Sequence, residues 1–196
     1  MNPNPSPEIP LLRGPVPLSH LLLRQFVHPG DRAVDATCGN GSDTLLLAEL
    51  VGPTGRVWAF DIQSDAIGQT AQRLAQAGYA GQAECILAGH ETMAERVTPG
   101  VSAVIFNLGY LPGGDRAIIT HPETTLAAFE QALILLKPGG ILVVTVYPGH
   151  EGGGHEGTVV DARAAAHDPR AFHTWRMGQV NVPPSAPYLT LIQKVA

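Results

Sequence analysis

The stretch VDATCGNGSDT, Val34 to Thr44, joins an apolar run to an amphipathic one. Arg32 to Thr37 reads as a strand, and Ser42 to Val51 as a helix that Gly52-Pro53 ends. Glycine at such a junction lets the backbone approach a ligand closely, and the helix N-terminus presents N–H groups to it. A dinucleotide site asks for G-x-G-x-x-G. Gly39 and Gly41 are present here, but Thr44 holds the third place. Taken alone, an ordinary strand-to-helix turn would look the same.

Outward from this junction, short apolar runs alternate with helical patterns. Ser19 to Val27 reads as the first helix, with Ser19 as its cap. Arg56 to Ile62 is a second strand, and Ser64 to Ala77 a helix that starts on Ser64 and stops at Gly78. Ala83 to Ala88 and Val101 to Phe106 are the third and fourth strands. Pro122 to Leu136 is a long helix ended by Lys137-Pro138-Gly139-Gly140, and Ile141 to Tyr147 is the fifth strand. A glycine-rich loop, EGGGHEG, then leads to a helix near Val159 to His167, and Phe172 to Met177 and Tyr188 to Val195 are late strands. This alternation predicts an α/β fold with a mainly parallel sheet. With no internal repeat or linker, residues 19–196 read as one domain behind a loose Pro-rich tail, residues 1–18.

The chain has 196 residues, 44% of them apolar, which suffices for one full core. The start lacks the basic and apolar regions of a signal peptide, and no apolar stretch is long enough to span a bilayer. Two cysteines, Cys38 and Cys85, do not make a disulfide framework, so a reducing cytoplasm is expected. Neither belongs to a metal-ligand pattern, and no metal is expected. The formal charge of −5 argues against coating nucleic acid by bulk charge but leaves room for a local basic patch. Arg163, Arg170 and Arg176 are candidates for such a patch, although scattered surface arginines would read the same way.

The first three strand ends converge on one ligand. Asp35 would repel a pyrophosphate and welcome a cation, which suits the ammonium and sulfonium of S-adenosylmethionine better than NAD. Asp61 ends the second strand about 20 residues after Gly41, the spacing at which an acid grips ribose hydroxyls. Gln63 reaches the same ribose or the adenine, and Gly89-His90 falls where an adenine edge would sit.

The fourth strand ends beside them in FNLGYLPGGD, Phe106 to Asp115. Asn107-Leu108-Gly109-Tyr110 resembles the N-P-P-Y type motif of methyltransferases that act on amino nitrogens of bases. There the amide oxygen accepts a hydrogen bond from the target amine, and the ring stacks on the base. Leu108-Gly109 replaces the prolines here.

DATCGNGSDTLLLA, FDIQ, AGHE, FNLGYLPGGD, THPETT and YPGHEGGG together resemble the rRNA methylase family, from about Ser19 to Lys194. That family includes bacterial tRNA 5-aminomethyl-2-thiouridine methyltransferases. The resemblance implies a Rossmann-like class I methyltransferase domain with a mainly parallel seven-stranded sheet and helices on both faces. It implies S-adenosylmethionine as cofactor and conversion of the aminomethyl group of tRNA wobble uridine 34 to methylaminomethyl. The anticodon region of tRNA is then the partner, and a homodimer stays open. Cofactor residues fall on Asp35, Gly39, Asn40, Gly41, Ser42, Asp43, Asp61, Gln63, Gly89 and His90, and the acceptor side on Asn107 to Asp115 and Tyr147 to His150. The family's N-Q-x-N-x-x-P pattern survives here only as Asn181 and Pro187.

An alkylamine is mostly protonated near neutral pH and then has no lone pair to attack with. Asn107 and Tyr110 are expected to place the amine, with Asp115 or His150 accepting a proton directly or through water. A small-molecule amine N-methyltransferase, or a non-catalytic cofactor- or RNA-binding module, would carry the same cofactor loops.

Overall fold

A computed structural model of the chain describes residues 11–111, 113–114, 118–149 and 152–195. Its strands are β1 (Arg32–Asp35), β2 (Arg56–Asp61), β3 (Ala83–Leu87), β4 (Val101–Asn107), β5 (Leu136–Val146), β6 (Phe172–Gly178) and β7 (Tyr188–Lys194). They form one seven-stranded sheet in the order β3-β2-β1-β4-β5-β7-β6. β1 to β5 pair in parallel, while β7 runs antiparallel to both β5 and β6. The expected α/β architecture is therefore present, with one antiparallel strand in a mainly parallel sheet.

Side-chain alternation along the central strands sorts the core into two layers. Ala103 and Ile105 of β4 pack with Leu23 of α1 (Pro15–Phe26), Leu47 of α2 (Ser42–Val51) and Leu74 of α3 (Ser64–Ala77). Val104 and Phe106 face the other way. They join Met93 of α4 (Met93–Arg96), Phe129 of α5 (Pro122–Leu135) and Val160 of α6 (Gly153–Ala165). Helices thus cover both faces, which is why β4 is buried from Val101 to Phe106 and apolar from Ala103 to Phe106. Each fully buried Leu or Phe contributes roughly 1.5–3 kcal/mol. No helix among the described residues is long and apolar enough to cross a membrane.

Four local expectations differ from the fold. α1 begins at Pro15, so residues 15–18 belong to the helix, and Ser19 is an interior residue whose Oγ donates to Val16 O at 2.7 Å. Proline at the first helical position needs no N–H partner there, and that sets the start. Ser64 is the first residue of α3, with Gln63 in the cap position and no side-chain cap bond. β5 starts at Leu136, because Lys137 to Gly140 bulge between the pairs Val101↔Leu136 and Ala103↔Ile141. A Cβ on Gly140 would lie 3.0 Å from Val101 O, so only glycine lets that bulge lie flat. Finally, α6 starts at Gly153 and takes in most of the glycine-rich stretch. A Cβ on Gly157 would come within 2.7 Å of Val146 Cγ1, and close packing on β5 outweighs the poor helix propensity of glycine.

Candidate active site

A cleft of about 860 Å³ opens at the carboxyl edge of the sheet, where the strand order reverses between β1 and β4. One wall comes from the loops after β1, β2 and β3, and the other from the loops after β4 and β5.

The first wall is held by backbone contacts. Gly39 has φ 51°, and its N–H donates to Asp61 Oδ2 at 3.0 Å. The Gln63 N–H donates to Asp61 Oδ1 at 3.0 Å, so one carboxylate ties two loops together. Thr70 Oγ1 of α3 donates to Gly39 O at 3.0 Å. Gly41 has φ 80°, and a Cβ there would meet Thr70 at 2.9 Å. Asn40 Oδ1 accepts from the Ser42 N–H at 3.3 Å and from Ser42 Oγ at 2.9 Å, while Arg73 Nη1 donates to Ser42 Oγ at 3.0 Å.

Asp35 lies beneath this loop, fully buried. It accepts from Thr44 Oγ1 at 2.6 Å and from the Thr37 N–H at 3.2 Å. Burial, and then the nearby Asp43 charge, push its carboxyl up to about 7. His90 turns its Nδ1 to Ala36 O at 3.2 Å and sets its ring edge-on to Phe106, 5.4 Å between centroids. Burial holds its imidazole below the usual range, and its Nε2 is buried without a partner among the described residues.

The second wall is held by side chains. The Asn107 N–H donates to Thr37 Oγ1 at 2.7 Å, which ties the end of β4 to the loop after β1. Asn107 Nδ2 donates to Asp43 Oδ2 at 2.6 Å, and Asp43 Oδ1 sits 2.6 Å from His20 Nε2 of α1. A carboxylate accepts only, so Asp43 fixes which end of the amide is nitrogen. Asn107 Oδ1 is left without a hydrogen bond among the described residues, on a side chain that lines the cleft.

Two residues on, Gly109 has φ 132°, its N–H donates to Thr120 Oγ1 at 2.9 Å, and its O accepts from the Thr120 N–H at 2.9 Å. Thr120 Oγ1 in turn donates to Glu156 Oε2 at 2.7 Å, and Thr125 Oγ1 donates to Glu156 Oε1 at 2.7 Å. Glu156 is only 2% exposed. Tyr110 forms a β-bridge with Ile119 and stays 37% exposed at the cleft. Leu111 reaches across, and its Cδ1 would lie 3.1 Å from a Cβ on Gly39. Tyr147, after β5, also lines the cleft, and burial raises its phenol.

Gly39, Asn40, Ser42, Asp43, Asp61 and Gln63 thus share one cleft with Gly89, His90, Asn107 and Tyr110. Asp35 and Gly41 support the loop from below and are not part of the cleft wall. Asp115 and His150 lie outside the described residues. The altered segment near the C-terminus reaches the cleft through Ser185 and Pro187. Arg163, Arg170 and Arg176 do not present a free patch: each is paired with a carboxylate, Glu130, Asp168 and Asp161 respectively. Sequence reasoning missed His20 and Glu156. The available signals were a histidine within the apolar run of α1 and an acid inside a glycine run.

The donor set fits S-adenosylmethionine. An acid stands at the end of β2, a glycine at positive φ leaves room above the first loop, and a buried, unpartnered imidazole nitrogen sits in the third. Sheet order, glycine loop and acid together define a class I methyltransferase fold. Residues 57–193 match the family described as "Putative rRNA methylase". A Clostridium thermocellum "putative rRNA-methylase" superposes with a TM-score of 0.91 at 40% identity, over 94% of this chain and 100% of that one. A Streptococcus mutans "putative methyltransferase" in complex with SAH superposes at 0.85 with 36% identity, over 94% and 100% of the two chains. The Arabidopsis thaliana chloroplastic tRNA (mnm(5)s(2)U34)-methyltransferase is 44% identical over 74% of this chain, which spans 57% of that relative's length. The chain belongs to this rRNA methylase family.

Proposed function

We propose that the chain is an S-adenosylmethionine-dependent tRNA N-methyltransferase that converts 5-aminomethyl-(2-thio)uridine at wobble position 34 to the 5-methylaminomethyl form. The observation that carries this reading is the Asn107 amide. Its nitrogen is anchored on Asp43, and its oxygen, without a hydrogen bond among the described residues, would accept from an amine in the cleft. The 44%-identical relative named for mnm(5)s(2)U34 supports the choice of substrate.

Asp61, Gln63 and the Gly39-Asn40 backbone would hold the cofactor, which supplies an electrophilic methyl group when bound. Asn107 Oδ1 orients the acceptor nitrogen, and the half-exposed Tyr110 ring offers a stacking surface for a base splayed out of the anticodon loop. Leu111 narrows the cleft and excludes water from the amine. Positioning two reactants in this way supplies much of the rate.

The test is mass analysis of nucleosides after incubation with labelled S-adenosylmethionine. Transfer is expected to tRNA that carries the aminomethyl group and not to an unmodified transcript. Equal labelling of both RNAs, or labelling only of free amines, would remove the tRNA assignment.

A further inference from the structure

The wobble-uridine reading leaves one chemical problem. Its acceptor is an ammonium, and a proton must leave before the nitrogen can attack. Resting on that reading, we infer that Asp43 is the proton acceptor and that His20 is the positioning residue that holds its carboxylate.

Asp43 lines the cleft on the first turn of α2, with one oxygen 2.6 Å from Asn107 Nδ2 and the other 2.6 Å from His20 Nε2. An amine bonded to Asn107 Oδ1 therefore lies one amide group away from a carboxylate. On the far side, the His20 Nε2–H donates to the other Asp43 oxygen from a side chain that is 31% exposed, which fixes a largely buried acid in place. The titratable groups facing Asp43 are His20 from α1, Asp35 from β1 and Tyr147 from the end of β5. His20 is the basic group bonded to Asp43 among the described residues. The local charge is negative, which draws an ammonium in and makes a shared proton favourable.

In the proton step, one N–H bond of the ammonium breaks, and the proton moves through one water in the cleft to an Asp43 oxygen. The electron pair stays on nitrogen and becomes the nucleophilic lone pair. Asp43 then gives the proton to water in the open cleft, and the carboxylate returns to its bond with the His20 Nε2–H. The methylated product keeps its remaining two N–H bonds and is again an ammonium. One proton is released per turnover.

Asp43→Asn tests this cleanly, because an asparagine oxygen still accepts from Asn107 Nδ2 and the amide keeps its orientation. Single-turnover transfer to aminomethyl tRNA is measured from pH 6 to pH 10 for the parent, Asp43→Asn and His20→Gln. General-base loss of this kind costs about 10²-fold or more near neutral pH. The deficit is expected to shrink steadily as pH approaches the alkylamine range of about 10, where the substrate deprotonates unaided. His20→Gln is expected to lose less and to show the same alkaline recovery.

A binding readout accompanies the rates. The parent is expected to prefer aminomethyl tRNA over unmodified transcript, and Asp43→Asn to lose that preference, with both proteins compared at saturating S-adenosylmethionine. A parent rate in Asp43→Asn, or a deficit of the same size at every pH, would overturn the proton role and leave the tRNA reading standing. Failure of the parent itself to methylate aminomethyl tRNA would overturn the tRNA reading and this inference together.

Discussion

The two walls of the cleft are built in different ways. The cofactor wall rests on backbone groups: the Gly39 and Gln63 N–H groups meet on Asp61, and Gly39 O accepts from Thr70. The acceptor wall rests on linked side chains. Asn107 hangs on Asp43 and Thr37, and Gly109 hangs on Thr120 and through it on Glu156. Backbone donors on a rigid sheet edge tolerate side-chain change, whereas a chain of side-chain hydrogen bonds fails when one link is removed. The cofactor wall should therefore bend under mutation, and the acceptor wall should break.

The sharpest contrast is between Asn107 and Asp61. Asn107→Ala removes the oxygen that orients the acceptor and leaves the Gly39–Asp61 contact untouched. Its kcat is expected to fall about 10²-fold or more, with S-adenosylmethionine affinity nearly unchanged. Asp61→Ala is expected to do the reverse, weakening cofactor binding by roughly 1–3 kcal/mol through loss of a charged acceptor. Cofactor titration beside single-turnover transfer separates the two. If both variants lose cofactor affinity alike, the walls are one unit and the contrast fails.

Glu156 comes next. Two threonine hydroxyls donate to it, from residues 120 and 125, in a site that is 2% exposed. Glu156→Ala leaves both without their acceptor and is expected to cost about 2–4 kcal/mol of stability, visible as a lower denaturant midpoint. Glu156→Gln keeps one acceptor and should cost less. Because Thr120 also carries the Gly109 N–H, transfer in the folded Gln variant should drop while cofactor affinity holds. An unchanged midpoint in Glu156→Ala would mean that the network is not what fixes the loop.

What was legible in the sequence follows the same division. Asp61 and Gln63 stand within three residues of a strand end, so periodicity alone carries them to the sheet edge. The FNLGYLPGGD stretch is equally local, and Asn107 and Tyr110 do line the cleft. His20 and Asp43 are 23 residues apart, and Thr120 and Glu156 are 36 apart. No local pattern records such a pairing. The glycines of α6 misled in the opposite direction: propensity favours a loop, and packing of Gly157 against Val146 and Tyr188 decides for a helix. Asp35 reads in the sequence as a partner for a cation, yet strand alternation puts it under the loop, where Thr44 holds it.

That burial gives a smaller, pH-dependent prediction for the cofactor wall. The Asp35 carboxyl titrates at 3.8 when free and at about 7 in the folded chain, raised by burial and then by Asp43. Between those values the folded chain holds a proton that the unfolded chain has released. This contribution to stability is complete below the lower value and is lost as pH rises through about 7. Asp35→Asn has no such proton to lose. Parent melting temperature should fall relative to the variant between pH 5 and pH 8, by about 2–4 °C for each kcal/mol involved. Parallel curves for the two proteins would mean that Asp35 is ionised throughout the folded range.

The smallest expected effect belongs to neither wall. Arg163, Arg170 and Arg176 are the sequence's candidates for a phosphate patch, and a patch would give the acceptor side a second hold on RNA. Each guanidinium already meets a carboxylate: Nη2 of Arg163 lies 2.9 Å from Glu130, Nη2 of Arg170 is 2.8 Å from Asp168, and Nε of Arg176 is 3.0 Å from Asp161. Arg176 also stacks on the Tyr188 ring, 3.8 Å from its centroid. A phosphate would have to displace a partner of the same charge and similar geometry, so the exchange gains little. Such exposed pairs also contribute only about 0–1 kcal/mol each to stability. Replacing all three arginines with alanine should therefore leave tRNA affinity and its salt dependence close to the parent's. The measurement is log affinity against log salt. Removing one arginine–phosphate pair lowers the steepness of that line by about 0.7–0.9, so three genuine pairs would lower it by about 2 or more. A change of that size would restore the arginine patch and move the RNA path from the cleft rim onto α6 and β6.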